Sequence, residues 1–513
     1  MDAVKMIAQA KPLSELINVL KQTGLLVSVI GRTDKHVNAI TNNSTQAEKG
    51  FAFVCIKGLK HDGHDFINER IKRGVDIFVV EDEREAQGKD VTFIKVRDTR
   101  KAFGILSSAL YDEPSRSLRL VGITGTNGKT TTAFMIAACL QSIGRKVAVM
   151  GTLGALSDEG FHTELPHTTP EAHLIQSHLR WFANKGIQDV VMEVSSHALS
   201  QDRVFGCAFD VGVFTNLTQD HLDYHGDMES YFTAKSMLFT CYAEYARSVG
   251  KEFTAVINAD NSYGKRLIEM CQTKLITYGV SEERDIFATD INVGREKTVA
   301  KFHIKPTKET FELKLPLIGL FNIYNALAAI ATLVALGENV TPAIEVLESF
   351  KPPRGRLERV DMGQPFSVLV DYAHTPDSLL QVLRALKPLK GDGRLIVVFG
   401  CGGDRDKTKR PKMGYIASNE ADIVVITSDN PRSEDPLAII QQILEGVDET
   451  LRHKVYVEPD RRKAIFRAIM LAKANDIVLI AGKGHETYQL IGQEKIPFDD
   501  REVAKEALST IVG

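Results

Sequence analysis

Leu118-Arg119-Leu120-Val121-Gly122-Ile123-Thr124-Gly125-Thr126-Asn127-Gly128-Lys129-Thr130-Thr131 is the stretch on which the fold turns. Residues 118–124 have the length and apolar character of a buried strand, and a helix is predicted over 131–140. Between them lies a glycine-broken loop. Glycines let backbone N–H groups turn toward phosphate oxygens, and a helix N-terminus adds positive potential. Lys129 supplies a mobile charge for the β- and γ-phosphates and Thr130 a hydroxyl for Mg²⁺. The standard phosphate loop has four residues between its glycines, whereas Gly125 and Gly128 are separated by two, so this is a shortened variant. The plainer alternative is a glycine-rich turn opening a helix.

Outward from this loop, short apolar runs alternate with helical segments. Strands are predicted at 147–150, 189–193, 210–215 and 254–258, then a polar β-rich stretch at 287–317 and a helix at 322–336. Such alternation gives right-handed βαβ units and a largely parallel sheet. Before it, apolar runs at 50–56 and 75–80 flank a helix-like stretch at 66–72, and residues 111–115 read as a linker. After Pro352-Pro353, strands at 367–370, 395–399, 423–427, 454–457 and 477–481 form a second, Rossmann-like unit. The expectation is an α/β protein of three domains: an N-terminal substrate domain at 1–116, a central phosphate-loop ATPase-like domain at 117–350, and a C-terminal Rossmann-like domain at 351–513.

A chain of 513 residues is long enough for several cores. Its net charge of −3 offers no polybasic field for nucleic acid or an anionic membrane, so anionic ligands must be held by local sites. The six cysteines lack C-x-x-C or zinc-ligand spacing. The first 20 residues do not read as a signal peptide, and no apolar run of about 18 residues occurs in this sequence, so no membrane span is expected. A cytoplasmic protein without nucleic-acid or membrane partners, working as a monomer, is expected.

Ligands of open α/β sheets bind beyond the carboxyl ends of the strands, where the polar motifs fall. Glu193 ends a strand and could face a metal on the phosphates; His221 follows the next strand, and carboxylate and imidazole can both ligate a divalent ion. Arg405, in Asp404-Arg405-Asp406-Lys407, and Arg432, after Pro431, sit at strand ends where guanidinium groups can fork onto carboxylates. A basic surface loop is the alternative for each. Lys235, on an amphipathic helix predicted at 228–238, reads on its residues alone as a solvated lysine.

Six segments together resemble the Mur ligase family, most closely its MurE type, which adds the third residue of the peptidoglycan peptide. They are the 125–131 loop, Glu193-Val194-Ser195-Ser196-His197, Asp220-His221-Leu222-Asp223-Tyr224-His225-Gly226-Asp227-Met228, Asp371-Tyr372-Ala373-His374-Thr375-Pro376, Gly402-Gly403-Asp404-Arg405-Asp406 and Gly482-Lys483-Gly484-His485-Glu486. The resemblance spans nearly the whole chain. It implies that ATP phosphorylates a peptide carboxylate and that an amino acid's amine then attacks the acyl-phosphate. It further implies that Lys129, Thr130, Glu193 and His221 serve phosphate and two Mg²⁺ ions. Gly125, Thr126, Asn127, Gly128, Thr131, Asn322, Asn325, Arg356, Asp371 and His374 complete the implied ATP site. Thr168, Thr169, Ser195, Gln201, Arg203 and, in the first domain, Ser44 match positions holding UDP-MurNAc-L-Ala-D-Glu. Residues around Leu59, Lys60 and His61 belong with Ser44. The family's uridine segment usually reads Asp-Ser-Arg, and Asn42-Asn43-Ser44-Thr45 keeps only the serine.

The resemblance also makes Lys235 a carbamylated lysine, its CO₂-derived anion bridging toward Mg²⁺. Members that add meso-diaminopimelate carry Asp-Asn-Pro-Arg, here Asp429-Asn430-Pro431-Arg432. By the same resemblance Arg405 and Arg432 take the distal carboxylate, and Glu486 with the Gly482 carbonyl the distal ammonium. Two other readings remain. One is the same chemistry on another substrate, by a lysine-adding ligase or a folylpolyglutamate synthase. The other is a non-catalytic nucleotide-binding protein, which would be expected to lose Lys129, Glu193 or Lys235.

Overall fold

A computed structural model describes residues 9–58, 61–82, 90–294 and 296–512. Leu59 and Lys60 lie outside the described residues. Three large sheets carry the chain.

The first contains Leu26–Ile30, Ala39–Thr41, Phe51–Val54, Ile77–Val80 and Thr92–Val96, with only Leu26–Ile30 antiparallel to its neighbour. Ile77–Val80 is buried at every position, as a parallel strand covered on both faces must be. The helix Thr99–Leu110 covers one face. It is capped by the Asp98 carboxylate and ends before Asp112 and Glu113, both in the left-handed region, which turn the chain into the central unit.

Eleven strands form the central sheet. Its parallel heart runs Val147–Gly151, Asp189–Glu193, Arg119–Thr124, Val211–Phe214, Thr254–Asn258 and Lys274–Gly279. The polar stretch expected at 287–317 is not a separate layer. It is an antiparallel meander, Ile286–Val293, Thr298–Ile304 and Glu309–Leu315, which continues this sheet. Helices Lys129–Ser142 and Leu320–Ala335 pack over one face through Ala133, Ile136, Ala137, Ala326, Ile330 and Leu333, where small side chains let the helices approach closely. From Arg119–Thr124 the chain first builds strands to one side and then crosses to Val211–Phe214 on the other. This topological switch opens a crevice beside the central strand.

The third sheet has five parallel strands in the order Ser367–Asp371, Ile477–Ala481, Leu395–Phe399, Ile423–Ile426, Val455–Val457, with Glu358–Val360 as an antiparallel edge. A hairpin absent from the sequence reading, Tyr488–Ile491 with Glu494–Pro497, folds back beside its carboxyl end.

Candidate active site

The register brings three strand ends level. Glu193 pairs with Ile123 and Phe214 with Thr124, so the loops after all three strands rise together. The phosphate loop is tightly held. Gly125 has φ +149° and a Cβ there would lie 1.9 Å from Thr215 Oγ1; Gly128 has φ +86° and its Cβ would lie 2.5 Å from Asn325 Oδ1. No other residue fits either place without displacing its neighbour. Helix Lys129–Ser142 starts at Gly128. Lys129 Nζ donates to the carbonyls of Gly125 and Thr126, both at 2.9 Å. Burial lowers its pKa, and Glu193 and Asp220 oppose the shift.

Glu193 is buried, with its carboxylate fixed by three donors. Oε1 accepts from the Thr152 N–H at 2.9 Å, and Oε2 from Thr130 Oγ1 at 3.0 Å and Thr152 Oγ1 at 3.1 Å. His221 adopts φ +53° and sits beside Asp220, Nε2 to Oδ2 at 3.3 Å. Burial, with the neighbouring His197, Lys235 and Lys129, lowers the pKa of its imidazole against the pull of Asp220. Among the described residues no three His, Cys, Asp or Glu side chains converge as a ready-made metal cage. A carboxylate with a hydroxyl beside a phosphate loop still suits Mg²⁺, which is commonly held by one or two carboxylates together with substrate phosphates and water.

Lys235 is where the bare residue reading fails. Only 1% exposed, it points inward from helix Met228–Ser236 and donates to the Gly125 carbonyl at 2.8 Å. Burial and the Lys129 ammonium push its pKa well below the ordinary lysine value, with Asp220 opposing.

A cleft of about 480 Å³ runs from Thr126–Thr131 past Glu193 and His221 to Asn322, Asn325, Arg356, Asp371 and His374. Arg356 reaches from the third unit to donate to Thr130 Oγ1 at 3.0 Å and lies 4.8 Å over the Tyr372 ring. Asn325 Oδ1 accepts from Thr132, and Asn325 donates to Asn322 Oδ1 at 3.1 Å. Asp371 is turned to the backbone, its oxygens accepting from the Leu357 and Ala373 amides at 2.7 and 2.8 Å, so it shapes the wall it lines. The sequence reading passed over Asp220, Tyr372 and Asp377, which also line the cleft. Asp377 Oδ2 accepts from Asn127 Nδ2 at 2.8 Å and Thr218 Oγ1 at 3.1 Å, clasping the phosphate loop from the third unit. Its place after Thr375-Pro376 at a helix start was the available signal.

Thr168, Thr169, Ser195, Gln201 and Arg203 form a second cluster at the same sheet end. Thr168 Oγ1 is 3.2 Å from Thr152 Oγ1, and Thr169 Oγ1 donates to the Glu193 carbonyl at 2.9 Å while accepting from the Ser195 N–H at 3.0 Å. Arg203 bonds the Thr169 carbonyl, Gln201 and Glu171. Glu171 also accepts from Asn42, so the first unit abuts this cluster. Ser44 stands apart; its carbonyl accepts from Arg70 at 2.6 Å.

The third sheet gathers the remaining residues. Arg432 has φ +53°, is bonded through its backbone to Leu490 and Gly492 of the hairpin, and donates Nη1 to the Gly403 carbonyl at 2.7 Å. Burial above all, and then the charge of Arg405, depress its pKa, with Asp429, Glu486 and Asp404 opposing. Arg405 itself is exposed. Asn430 donates to Glu486 Oε2 at 2.9 Å, and the buried Lys483 ammonium donates to Asn430 Oδ1 and Glu486 Oε2, each at 3.0 Å. Asp429 is 3.5 Å from Lys483, and Gly482 follows strand Ile477–Ala481 at φ +116°. Pro431 presents its carbonyl to Gly403 and accepts from the Glu434 N–H. None of these residues lines the 480 Å³ cleft; Tyr372, which does, has its ring 5.1 Å from that of His485 in the 482–486 loop.

Three family models match the chain: the Mur ligase middle domain at residues 123–333, the Mur ligase glutamate ligase domain at 355–484, and the Mur ligase family catalytic domain at 36–111. It is 44% identical over 499 residues to the UDP-N-acetylmuramoyl-L-alanyl-D-glutamate--2,6-diaminopimelate ligase of Bacillus licheniformis, covering 97% of this chain and 99% of that one. A solved structure bearing the same enzyme name superposes with TM-score 0.69 at 30% identity, over 98% and 100% of the two chains. Folylpolyglutamate synthase of Mycobacterium tuberculosis shares the fold at TM-score 0.61 and 19% identity, over 81% of this chain and 95% of that one. With all three sheets matched by its models and nearly the full length by a curated member, the chain belongs to the Mur ligase family.

Proposed function

We propose that this chain forms an amide bond at the expense of ATP, adding meso-diaminopimelate to UDP-MurNAc-L-Ala-D-Glu in the synthesis of peptidoglycan precursors. The observation that carries the reading is the turn at 429–432, where Asn430 bonds Glu486 and the Arg432 guanidinium feels the charges of Arg405, Asp429 and Glu486. A charge pair of that kind suits a substrate end bearing both carboxylate and ammonium. The 44% identity to a diaminopimelate ligase over nearly the full length supports the same substrate. Folylpolyglutamate synthase shares only the fold.

In this reading a peptide carboxylate oxygen attacks the γ-phosphorus of ATP and ADP leaves. The amino-acid nitrogen then attacks the acyl carbon, phosphate departs and the nitrogen loses a proton. Lys129 and Arg356 balance charge on the transferring phosphoryl group, and Thr126–Thr131 position it. Thr130, Glu193, His221 and a carbamate on Lys235 would hold two Mg²⁺ ions, which would supply positive charge to the phosphates. Thr168, Thr169, Ser195, Gln201, Arg203 and Ser44 bind the nucleotide-peptide. Asn322, Asn325, Asp371 and His374 form the nucleotide wall. The same proposal has a cytoplasmic monomer with domain limits at 1–116, 117–350 and 351–513.

The test is phosphate release with product mass, on ATP, UDP-MurNAc-L-Ala-D-Glu and either meso-diaminopimelate or L-lysine. Diaminopimelate-dependent release and the tripeptide product are expected. Preference for lysine, or turnover only with a folate and glutamate, would sink the reading.

A further inference from the structure

Arg461 opens helix Arg461–Leu471 and is 1% exposed, yet no step above uses it. Its guanidinium runs beneath the carboxyl end of the third sheet. Nη1 donates to the Ser428 carbonyl at 3.3 Å and Nη2 to the Ala481 carbonyl at 3.0 Å. Nε and Nη2 fork onto Asp500, at 2.8 and 2.7 Å. Asp500 is fully buried at the start of the final helix, Asp500–Val512. Ser428 and Ala481 immediately precede Asp429 and Gly482, so one cation ties the backbones of the two loops that form the amino-acid pocket. Gly482 lies against this ion: a Cβ there would stand 3.9 Å from Arg461 Nη2 and 3.6 Å from Asp429 Oδ2, both ordinary contacts. Asp429 Oδ1 is buried without a hydrogen bond and stands 3.5 Å from the Lys483 ammonium.

A buried ion pair is not explained by stability alone, because apolar replacements of similar volume are often as stable. What such a pair specifies is geometry. We propose that Arg461, braced by Asp500, is a positioning residue for amino-acid recognition: it fixes the backbone separation of the 429–432 turn from the 482–486 loop, and so the span between Arg432 and Glu486. This rests on the diaminopimelate reading above.

Four variants test it, each assayed for KM of meso-diaminopimelate, KM of ATP, kcat and melting temperature. Arg461→Lys keeps the charge but loses the fork, and Asp500→Asn keeps the shape but loses the charge. The double variant Arg461→Met/Asp500→Leu replaces the pair by apolar volume, so it decides the matter if either single variant fails to fold. Arg394→Lys is the control: Arg394 forks onto buried Asp476 in the same sheet but at its opposite end, beside Leu395 and Ile477. In the Arg461 and Asp500 variants, including the double one, KM for diaminopimelate should rise by about 10-fold or more, on the scale of displacing a pocket wall by under 1 Å. KM for ATP should stay within about twofold. Arg394→Lys should melt lower with both KM values unchanged. Native amino-acid KM in Arg461→Lys and the double variant, or both KM values rising in step, overturns the proposal. Native protein that forms no amide with diaminopimelate removes the underlying reading and this inference with it.

Discussion

Truncating Arg432 probes the amino-acid pocket most directly. Nη1 of its guanidinium is engaged by the Gly403 carbonyl at 2.7 Å, which leaves Nη2 and Nε for a bound carboxylate. Hydrogen bonds to charged groups contribute about 1.5–3 kcal/mol each. Two at the lower bound give about 3 kcal/mol, or roughly 10²-fold in kcat/KM at about 1.4 kcal/mol per tenfold. Arg405 sharpens the effect, since burial and that second cation already lower the Arg432 pKa, and an anion between them relieves the repulsion. Arg432→Ala should therefore lower kcat/KM for meso-diaminopimelate by about 10²-fold or more and leave KM for ATP unchanged. Arg432→Lys should recover little, because a point charge cannot reproduce the fork. L-Lysine should be a poor substrate of the native protein, and the preference against it should narrow in Arg432→Ala. A glycine at 432 separates function from stability. The arginine sits at φ +53°, which costs about 1–2 kcal/mol for a residue with a Cβ, so Arg432→Gly should melt above Arg432→Ala while being equally impaired. Phosphate release at saturating ATP and nucleotide-peptide gives the kinetics, and calorimetry the melting temperatures. Unchanged diaminopimelate use by Arg432→Ala, or native preference for lysine, would refute the assignment of 429–432 and leave the amide-ligase chemistry intact.

Lys129→Ala should cut turnover by at least about 10²-fold, the scale of removing one preorganised electrostatic donor, in a protein that still folds; near-normal phosphate release would remove Lys129 from the phosphate site. Lys235→Ala should be nearly inactive, and formate or acetate should restore part of the rate by occupying the vacated anion site; an unmodified ammonium at 235 in a high-resolution structure of active enzyme would overturn the carbamate. Arg410 forks onto Glu434 through two 2.9 Å bonds and, as the largest influence, draws that carboxyl down to about 2. Because the folded value lies below the unfolded one, this stability is full above about pH 4.5 and is lost as pH falls toward 2. Glu434→Gln should cost about 1–2 kcal/mol at pH 6, with the gap to native closing over that range in a melting series.

Strands were legible where both faces are buried. Residues 189–193 and 477–481 read as strands because parallel strands between helix layers are apolar runs whose ends are marked by a polar residue or glycine. Phosphate-loop residues were legible because their chemistry is local. What depends on distant partners was not. Lys235 is ordinary along its own helix and becomes unusual only through the Gly125 carbonyl, 110 residues away. Asp377 meets Asn127 across 250 residues. The hairpin beside Arg432 combines a short, half-polar strand with a fully exposed one, so its pattern falls below the level at which alternation can be read.

The contact between the central and third units is uneven. On one side, Val293, Ile318 and Phe321 pack onto the apolar cluster of the third unit, and Gly319 lies close to Ala385. At the mouth of the cleft the partners are instead polar: Asp377 with Asn127 and Thr218, Arg356 with Thr130, and Lys412 with Gln219. Water can replace each polar bond at a net cost of about 1 kcal/mol, whereas parting apolar surfaces has no such compensation. The apolar contact therefore acts as a pivot and the polar one as a zip fastener. Thermal motion can undo the zip without loosening the pivot, so spent nucleotide has an exit that leaves every hydrophobic core intact.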